Sequence, residues 1–509
     1  MRTSQDHNLF GIFRSHITDW NAPFLFVSDT HILTYADMLK RSAQFANALI
    51  SLGVKPGDRV AAQVEKSVDA LFLYLGCLRA GGVFLPLNMG YKDKELAYFI
   101  NDAEPALVAC TSARKGALEE IVGASEFGRV ETFDLGGGGS LIKIADGSDT
   151  EFEDLHRDED DLAAILYTSG TTGRSKGAML THKNLSSNAQ ALVGYWQFTS
   201  NDILLHALPI FHTHGLFVAT NTILRAGGSM IFQNRFVAED VINALPRATC
   251  MMGVPTFYSR LLAYPQLTRD LVSHIRVFIS GSAPLSPETH KNFEQRTGHA
   301  ILERYGMTET NMNTSNPFDG ERRASTVGFP LPGIDIRIAD IESGEVLATN
   351  EVGVIEIRGP NVFKGYWRMP EKTKEEFRDD GFFISGDLGF IDERGYISIV
   401  GRNKDLIISG GFNIYPAEVE NALDAINGIS ESAVIGVPHP DFGEGVTAVV
   451  VAEKESAPAV EDIRTTLERD LANYKLPKRV FFVDALPRNK MGKVQKNQLR
   501  EQFQTAYQA

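Results

Sequence analysis

Short apolar runs alternate with amphipathic stretches along the first part of the chain. Residues 36–52 repeat apolar positions at helical spacing and stop at Gly53, and residues 59–64 follow as a strand-like run. A second helical face ends at Gly81-Gly82, and residues 83–87 form the next apolar run. Because strands and helices alternate, this order predicts parallel sheets that are covered by helices.

The pattern changes after residue 320, where strand-like segments such as 353–357 and 395–400 dominate and indicate a β-rich subdomain. The last hundred or so residues carry an α+β pattern of their own, with a strand at residues 446–452. We therefore predict an α/β fold with two domains. A large N-terminal domain of parallel, helix-covered sheets plus the β-rich subdomain spans residues 1–402. A small, mobile α+β C-terminal domain spans residues 403–509.

Composition narrows the class of protein. A chain of 509 residues with 43% hydrophobic residues is long enough for more than one domain, each with a core. Its net charge of −14 argues against general binding of nucleic acid or of anionic membranes, which requires a basic surface. The three cysteines are far apart, which excludes a disulfide framework and a cysteine zinc site. With no apolar leader or membrane-length run, we expect a cytoplasmic protein.

The segment 167–177 is dense in glycines, hydroxyl residues and cations, and it follows a strand-like apolar run at residues 162–166. Such a loop suits a polyphosphate, because glycines let the backbone approach while N–H groups, hydroxyls and cations bind the oxygens. It is not a Walker loop, since no Gly-Lys-Ser/Thr opens a helix. An ordinary Gly/Ser turn is the alternative. The candidate phosphate ligands are Thr168, Ser169, Gly170, Thr171, Thr172, Gly173, Arg174 and Lys176.

Five further strings follow in order through the rest of the chain. They are Tyr-Gly-Met-Thr-Glu at 305–309, Ser-Gly-Asp at 385–387, Gly-Arg-Asn-Lys-Asp at 401–405, a Gly-Gly segment at 409–420, and Pro-Arg-Asn-Lys-Met-Gly-Lys at 487–493. Together with the loop they resemble the adenylate-forming superfamily of acyl-CoA synthetases, luciferases and peptide-synthetase adenylation domains. The resemblance runs through nearly the whole chain and implies activation of an acid by ATP.

The resemblance implies a role for each motif in an ATP site. Thr308 would bond phosphate, and Glu309 would hold Mg²⁺, a cation that prefers carboxylate and phosphate oxygens. The other implied nucleotide ligands are Tyr305 for adenine, Gly281, Ser282 and Ala283 beside it, Asp387 for the ribose, and Arg402 for ribose or phosphate. The alternatives are a solvated surface acid for Glu309, a turn aspartate for Asp387, and an interdomain salt bridge for Arg402.

The C-terminal motifs imply a two-step cycle. Lys493 matches the family's adenylation lysine, whose long stem and compact charge reach both the α-phosphate and the acid. It is also a plausible target of a lysine acetyltransferase, which would remove the charge. Lys404 matches the residue about which the small domain rotates between adenylation and thioester formation. Gly410 and Gly411 would line the tunnel for the pantetheine arm of coenzyme A, unless they simply form a turn.

Two residues bear on the acid. His212 stands where adenylation domains for amino acids carry Asp, which argues against an amino acid substrate and leaves a pocket-gating or core histidine. Arg235 ends an apolar strand in the acyl-pocket region, where it would suit a second carboxylate, held bidentately. This region and residues 253–256 resemble malonyl-CoA synthetases. The alternative is an exposed arginine that pairs with Glu239 or Asp240.

We therefore expect an AMP-forming ligase that joins malonate or methylmalonate to coenzyme A, with ATP and Mg²⁺, through an acyl-adenylate. A ligase for short, medium or aromatic acids is the first alternative, and would leave Arg235 outside the pocket. An adenylation enzyme that loads a carrier protein is the second. An inactive regulatory homologue is the third, and the intact lysine, glutamate and aspartate weigh against it.

Overall fold

The structure is a computed structural model, and it describes residues 6–123, 128–168, 175–410, 412–453, 456–489 and 492–507. Its strands and helices alternate along the first three hundred residues, as the apolar pattern predicts. Within these ranges no helix is both long and apolar enough to span a membrane.

Twenty-five strands lie in the described ranges. The first fifteen are β1 Pro23–Phe26, β2 Ile32–Thr34, β3 Arg59–Gln63, β4 Val83–Pro86, β5 Leu107–Cys110, β6 Arg129–Thr132, β7 Leu162–Thr168, β8 Lys176–Thr181, β9 Ile203–His206, β10 Ser229–Phe232, β11 Cys250–Gly253, β12 Val277–Ser280, β13 Leu302–Met307, β14 Asn311–Ser315 and β15 Phe329–Pro330. The others are β16 Asp335–Ala339, β17 Gly353–Arg358, β18 Gly365–Tyr366, β19 Phe383–Ile391, β20 Ile397–Arg402, β21 Ile407–Ser409, β22 Phe412–Ile414, β23 Ile429–His439, β24 Gly443–Ala452 and β25 Arg479–Phe482.

Sixteen α-helices in the same ranges cover or connect these strands. They are α1 Leu9–Arg14, α2 Tyr35–Ser51, α3 Val68–Arg79, α4 Asp93–Ala103, α5 Lys115–Gly123, α6 Ser140–Asp146, α7 His182–Tyr195, α8 Asn221–Ala226, α9 Ala238–Ala244, α10 Pro255–Leu262, α11 Arg269–Val272, α12 Pro287–Thr297, α13 Pro370–Glu375, α14 Pro416–Asp424, α15 Val460–Asp470 and α16 Lys496–Phe503. Polar caps begin several of them. Thr34 forms a capping box with Asp37 at the start of α2, and Ser67 accepts from the N–H of Ala70 in α3.

Two large sheets form most of the N-terminal part. The nine-stranded sheet has the order β15-β14-β13-β12-β11-β9-β10-β1-β2, and the seven-stranded sheet has the order β18-β8-β7-β4-β3-β5-β6. Strands β13 to β1 of the first sheet and β7 to β6 of the second are parallel, as predicted. The edges differ from the prediction because hairpin returns add antiparallel strands there, such as β8 beside β7 and β14 beside β13.

Two smaller sheets follow. Strands β16, β17, β19 and β20 form an antiparallel sheet, which is the predicted β-rich subdomain. Strands β21 to β25 form the last sheet, in which β24 is central. A single 3₁₀ turn, Asn403–Asp405, connects β20 to β21. The α/β class with a small C-terminal α+β unit is therefore confirmed, while the boundary between residues 402 and 403 stays a prediction.

The small unit has hydrophobic clusters of its own. One of them contains Leu423 of α14, Val434 of β23 and Ile463 of α15, and all of its members lie after residue 406. The main cluster of the large unit contains no residue after 399. Because the two cores share no side chains, we expect the small unit to lose its packing without the large one.

Leu423→Ala tests this separation. The side chain is fully buried, so its truncation should lower the free energy of unfolding of the small unit by about 2–5 kcal/mol. The protein's three tryptophans, Trp20, Trp196 and Trp367, all lie in the large unit. Denaturation followed by tryptophan fluorescence should therefore stay unchanged, while the transition followed by far-UV circular dichroism should gain an earlier phase. An equal shift of both signals would show that the two cores unfold together.

Candidate functional site

The candidate site lies where parallel strands of the two large sheets end. Most candidates of the first sheet directly follow one of its parallel strands. His212 follows β9, Arg235 follows β10, the segment 281–283 follows β12, and Thr308 and Glu309 follow β13. Because the carboxyl ends of parallel strands share one edge of a sheet, these residues lie along the same edge. The predicted phosphate loop leaves the end of β7 in the second sheet.

Asp387 joins two of the predicted nucleotide ligands. Its carboxylate accepts a hydrogen bond of 2.6 Å from the Tyr305 hydroxyl and forms an ion pair of 2.8 Å with Nε of Arg402. Asp387 is buried and lies within β19, directly opposite Arg402 on β20, so it is not a turn aspartate. The ion pair of Arg402 is with a residue of its own sheet rather than across the domain boundary. Adenine and ribose candidates from separate parts of the sequence are thus adjacent.

Glu309 is a buried carboxylate close to the end of the phosphate loop. It accepts hydrogen bonds from the Tyr366 hydroxyl at 3.1 Å and from the Thr168 hydroxyl at 3.4 Å. Burial raises the pKa of Glu309, and this dominates the opposing influence of Tyr366, Lys176 and Arg402. This environment excludes the solvated surface acid. A divalent cation would stabilise the charged carboxylate, so the residue fits a Mg²⁺ ligand that acts together with phosphate oxygens.

Lys176 lies opposite Thr168 across the β7–β8 hairpin, at the other end of the loop. Its ammonium contacts Glu376 at 3.1 Å and lies 4.0 Å from the centre of the Tyr366 ring. Five loop candidates, namely Ser169, Gly170, Thr171, Thr172 and Gly173, together with Arg174, lie outside the described residues. Both ends of the loop nevertheless meet Glu309 and Tyr366, which brings the predicted phosphate and metal ligands together.

The segment after β12 lies close to the side chain of Arg304. A Cβ at Gly281 would lie 2.4 Å from Cζ of that arginine, so a larger residue there would have to displace the guanidinium. Ser282 has a φ of 73°, a left-handed conformation that is uncommon for serine, and its hydroxyl lies 3.1 Å from Nδ1 of His214. Ala283 follows, half-buried. His214 begins a π-helical segment, His214–Thr220, of the kind often found at functional sites.

Lys493 reaches this site from the small unit. Solvent still reaches the side chain, yet the ammonium is close enough to interact electrostatically with Arg402, Asp387, Glu309 and Arg304. Burial is the main cause that lowers the pKa of Lys493, and the positive charge of Arg402 adds to it. The adjacent Gly492 has a φ of 77°. The predicted catalytic lysine therefore lies within electrostatic range of the predicted metal and ribose ligands.

His212 lies beside Lys493 at the contact between the two units. Burial lowers the pKa of His212 to about 4, and the charge of Lys493 contributes, so the imidazole is neutral at neutral pH. It lines a cavity of about 310 Å³ whose wall includes Thr256 and Phe257 of the large unit and Asn489 and Gly492 of the small one. In the described ranges no three metal-ligating side chains cluster, so His212 and His214 form no metal site there.

Arg235 lines a second cavity of about 530 Å³ that shares Pro209 and Phe257 with the first. Lys66 and Glu65 also line it, and most of its wall is apolar. Arg235 is exposed and makes neither a hydrogen bond nor an ion pair with another described residue, so the alternative pairing with Glu239 or Asp240 is absent from the structure. It lies three residues beyond the end of β10 rather than at it.

The remaining candidates lie in the small unit. Lys404 is exposed in the 3₁₀ turn between β20 and β21, where a hinge is expected. Gly410 occupies the turn of the β21–β22 hairpin with a φ of 59°, and its N–H donates to the carbonyl of Phe442. It is thus a turn glycine, which leaves its role at a tunnel untested. Gly411 lies outside the described residues.

Sequence reasoning missed three residues of this region. Tyr366 bonds Glu309, Lys66 donates to the carbonyl of His206 at 2.9 Å within the wall of the larger cavity, and Arg304 lies beneath Gly281. Tyr366 and Lys66 belong to no motif, so their sequence gives no signal. Arg304 directly precedes the Tyr-Gly motif, and the adjacent charged residues Glu303 and Arg304 within one strand could have drawn attention to it.

Comparisons with known proteins agree with this geometry. A model of the AMP-binding enzyme family matches residues 17–367, and a model of the AMP-binding enzyme C-terminal domain matches residues 418–493. The chain belongs to the AMP-binding enzyme family. The order of the motifs therefore follows from common descent, and an AMP-forming acid–CoA ligase activity agrees with the relatives below.

Three proteins illustrate the range of this family. The malonate–CoA ligase of Arabidopsis thaliana is 35% identical over 485 residues, which cover 89% of this chain and 79% of that protein. A feruloyl-CoA synthase of an Amycolatopsis species is 38% identical over 475 residues, covering 92% and 94%. The crystal structure of ATP-bound MatB from Rhodopseudomonas palustris is 55% identical, with 99% and 100% covered and a TM-score of 0.97. The apo structure of the same MatB has a TM-score of 0.86.

The two TM-scores bear on how the large and small units of this AMP-binding enzyme are arranged. The chain is more similar to the ATP-bound form than to the apo form of one relative of the same identity. In this arrangement Lys493 faces the nucleotide candidates. The arrangement of the two units is therefore more similar to that of the ATP-bound relative than to that of its apo form.

Replacement of Lys493 tests its role. If the ammonium stabilises charge only in the transition state of adenylation, Lys493→Ala should lower kcat about 100-fold or more with little change in ATP affinity. The measurement is acid-dependent exchange of pyrophosphate into ATP. Lys496→Ala serves as the matched control, because Lys496 pairs with Glu420 of the small unit and should leave exchange unchanged. Thioester formation from a supplied acyl-adenylate should survive in Lys493→Ala, and an equal loss in both half-reactions would contradict the assignment.

Proposed function

We propose that the protein is an ATP-dependent acid–CoA ligase whose acid is malonate or methylmalonate. In the first step the acid attacks the α-phosphate of ATP and expels pyrophosphate, giving an acyl-adenylate. In the second step the thiol of coenzyme A displaces AMP. Positioning and charge stabilisation carry both steps, so little covalent participation of the protein is required.

In the first step the residues around Asp387 hold the nucleoside. The carboxylate offers acceptors to adjacent ribose hydroxyls while Tyr305 and Arg402 fix its orientation. Thr168, Thr308 and Lys176 serve the phosphates, and Glu309 would hold Mg²⁺, which would neutralise phosphate charge. Lys493 places its charge between the acid and the α-phosphate. Its acetylation by a lysine acetyltransferase would remove that charge and stop this step.

In the second step the small unit rotates about Lys404. The segment that carries Lys493 then leaves the site, and the β21–β22 hairpin with Gly410 takes its place near His212, beside the path of the thiol. A neutral His212 supports this path, because it presents no charge to the incoming thiol. The position of Lys404 in a lone 3₁₀ turn between two sheets supports the hinge.

The observation that carries the choice of acid is that Arg235, in the wall of a largely apolar cavity beside the site, is exposed and pairs with none of the described residues. A fatty acid needs only apolar walls, whereas a dicarboxylate needs a cation for its second charge. No carboxylate occupies the position of His212, so an amino group of a substrate has no partner there. The similarity to MatB and to a malonate–CoA ligase supports the same choice.

An aromatic acid is the second candidate. The larger cavity has a volume of about 530 Å³, more than malonate requires, and Phe84, Phe236 and Phe257 line it. A feruloyl-CoA synthase is among the relatives. With an aromatic acid, Arg235 would stay at the cavity mouth and contact solvent.

A screen of acids separates the candidates. Release of AMP is measured with ATP, Mg²⁺ and CoA across acetate, propionate, malonate, methylmalonate, succinate, octanoate and coumarate. Malonate or methylmalonate should give the highest kcat/KM. A preference for coumarate or octanoate would overturn the choice of acid. Exchange of pyrophosphate without CoA-dependent release of AMP would indicate that the acceptor is a carrier-protein thiol. Absence of exchange with every acid would indicate an inactive homologue.

Lys404→Pro tests the rotation. Proline fixes φ and restricts the preceding residue, so the change of backbone conformation at the hinge should be hindered while the nucleotide site stays intact. Acyl-adenylate should form and accumulate without the CoA ester, as measured by chromatography of a single turnover. Lys404→Ala, which removes the side chain but keeps backbone freedom, should form the thioester at a near-normal rate. Normal turnover in the proline variant would remove Lys404 from this role.

Arg235→Leu tests the pocket cation. Loss of a desolvated charge pair should lower kcat/KM for malonate by the equivalent of about 2–5 kcal/mol. The value for propionate should fall far less, because propionate lacks the second charge. The readout is the ratio of kcat/KM for the two acids, because a folding defect would lower both equally. Arg247→Leu, at an exposed arginine paired with Asp29, provides the control. An unchanged ratio would show that Arg235 does not bind the second carboxylate.

A further inference from the structure

Glu376 directly follows helix α13 and lies beside a cation of the phosphate loop, yet it takes no part in the steps described above. Its carboxylate accepts a hydrogen bond of 3.1 Å from the ammonium of Lys176. Only 10% of the lysine side chain and 21% of the glutamate side chain are exposed. A carboxylate and a phosphate attract the same ammonium, so Glu376 is placed to compete with ATP for Lys176.

The backbone is held in place on both sides of this pair. Lys176 lies in β8, where it is paired with Thr168 of β7. The N–H of Glu376 donates to the carbonyl of Thr373, and its own carbonyl accepts from the N–H of Ile384. The ammonium can therefore change its partner by rotation of side chains, while the strand and the helix stay in place.

Tyr366 lies between this ion pair and the candidate metal ligand. The ammonium of Lys176 is 4.0 Å from the centre of its ring, and its hydroxyl donates to Glu309 at 3.1 Å. Burial, and after it the charges of Glu309 and Glu376, raise the pKa of Tyr366, so the phenol is neutral. The face of a neutral ring attracts an ammonium with either anionic partner. Tyr366 thus favours a position of Lys176 close to both anions.

A second lysine shares the carboxylate of Glu376. Nζ of Lys372 lies 3.1 Å from the same oxygen, Oε1, that Lys176 contacts. It also lies 3.0 Å from a carboxylate oxygen of Glu375. When Lys176 turns towards a phosphate, Lys372 still neutralises Glu376. Because a half-buried carboxylate without a cation is costly, this second pairing lowers the cost of the exchange.

We propose that Glu376 competes with the β- and γ-phosphates of ATP for Lys176, and thereby promotes release of pyrophosphate after adenylation. This inference rests on the proposed function and deepens it, because pyrophosphate leaves before the thioester forms. Glu376 acts through Lys176 and is therefore a positioning residue. The pair holds part of the free enzyme in a form that binds polyphosphate weakly, which lowers the apparent affinity by the fraction that is competent. AMP lacks these two phosphates and does not compete.

The experiment measures binding of ATP, pyrophosphate and AMP to the full-length protein by titration calorimetry with Mg²⁺ and without acid. Glu376→Gln keeps the size of the side chain and removes its charge. It should lower Kd for ATP and for pyrophosphate about fivefold or more and leave Kd for AMP unchanged. Glu375→Gln is the matched control, since this exposed neighbour pairs with Lys372, and it should change none of the three values.

A double-mutant cycle links the effect to the lysine. In a Lys176→Met background, Glu376→Gln should change Kd for ATP and pyrophosphate no further. In assays of AMP release with acid and CoA, pyrophosphate should inhibit Glu376→Gln more strongly than the wild type. A merely structural role would weaken binding of all three ligands together.

Two failures can be told apart. If ATP and pyrophosphate bind Glu376→Gln no more tightly than the wild type, or if Kd for AMP falls by the same factor, the inference is overturned while the proposed function stands. If the wild type binds neither ATP nor pyrophosphate, the proposed function fails and the inference with it.

Discussion

The carboxylate of Asp387 is the contact on which the arrangement of the site depends. It binds Tyr305 at the end of the nine-stranded sheet and Arg402 at the end of the β-rich sheet, one residue before the turn that leads to the small unit. Tyr305 is buried and Arg402 is half-buried. Without the carboxylate of Asp387, the polar group of each could adopt another orientation. Bound together, they align the last residue of β20 with the ends of the parallel strands.

From that alignment follows the position of Lys493. The connection from Arg402 to the small unit is short, so the orientation of β20 limits where the small unit can lie. In the observed arrangement Lys493 lies within electrostatic range of Glu309, Asp387 and Arg304. Its pKa is lowered mainly by burial. The protein as a whole carries a net charge of −14, yet cations concentrate at this edge. Anionic substrates therefore meet a local basic site on an acidic molecule.

Much of the fold could be predicted from sequence because its signals are local. Alternating apolar runs and capping residues fix the βαβ order, and helix α2 begins and ends within one residue of its predicted bounds. The antiparallel edges were not predicted, since strand partners depend on contacts between distant segments. In the candidate site, motif residues such as Glu309 and Asp387 could be named in advance. Tyr366 could not, because its importance arises from what the fold places beside it, the buried carboxylate of Glu309.

The most direct measurement of the central claim is a crystal structure of the enzyme with ATP, or a stable analogue of malonyl-adenylate, and malonate. The account predicts that the reacting carboxylate lies beside Lys493 and that an oxygen of the distal carboxylate lies within hydrogen-bond distance, about 3 Å, of the Arg235 guanidinium. A distal carboxylate that points into solvent or against apolar walls, with Arg235 bound to water or to protein atoms instead, would contradict it.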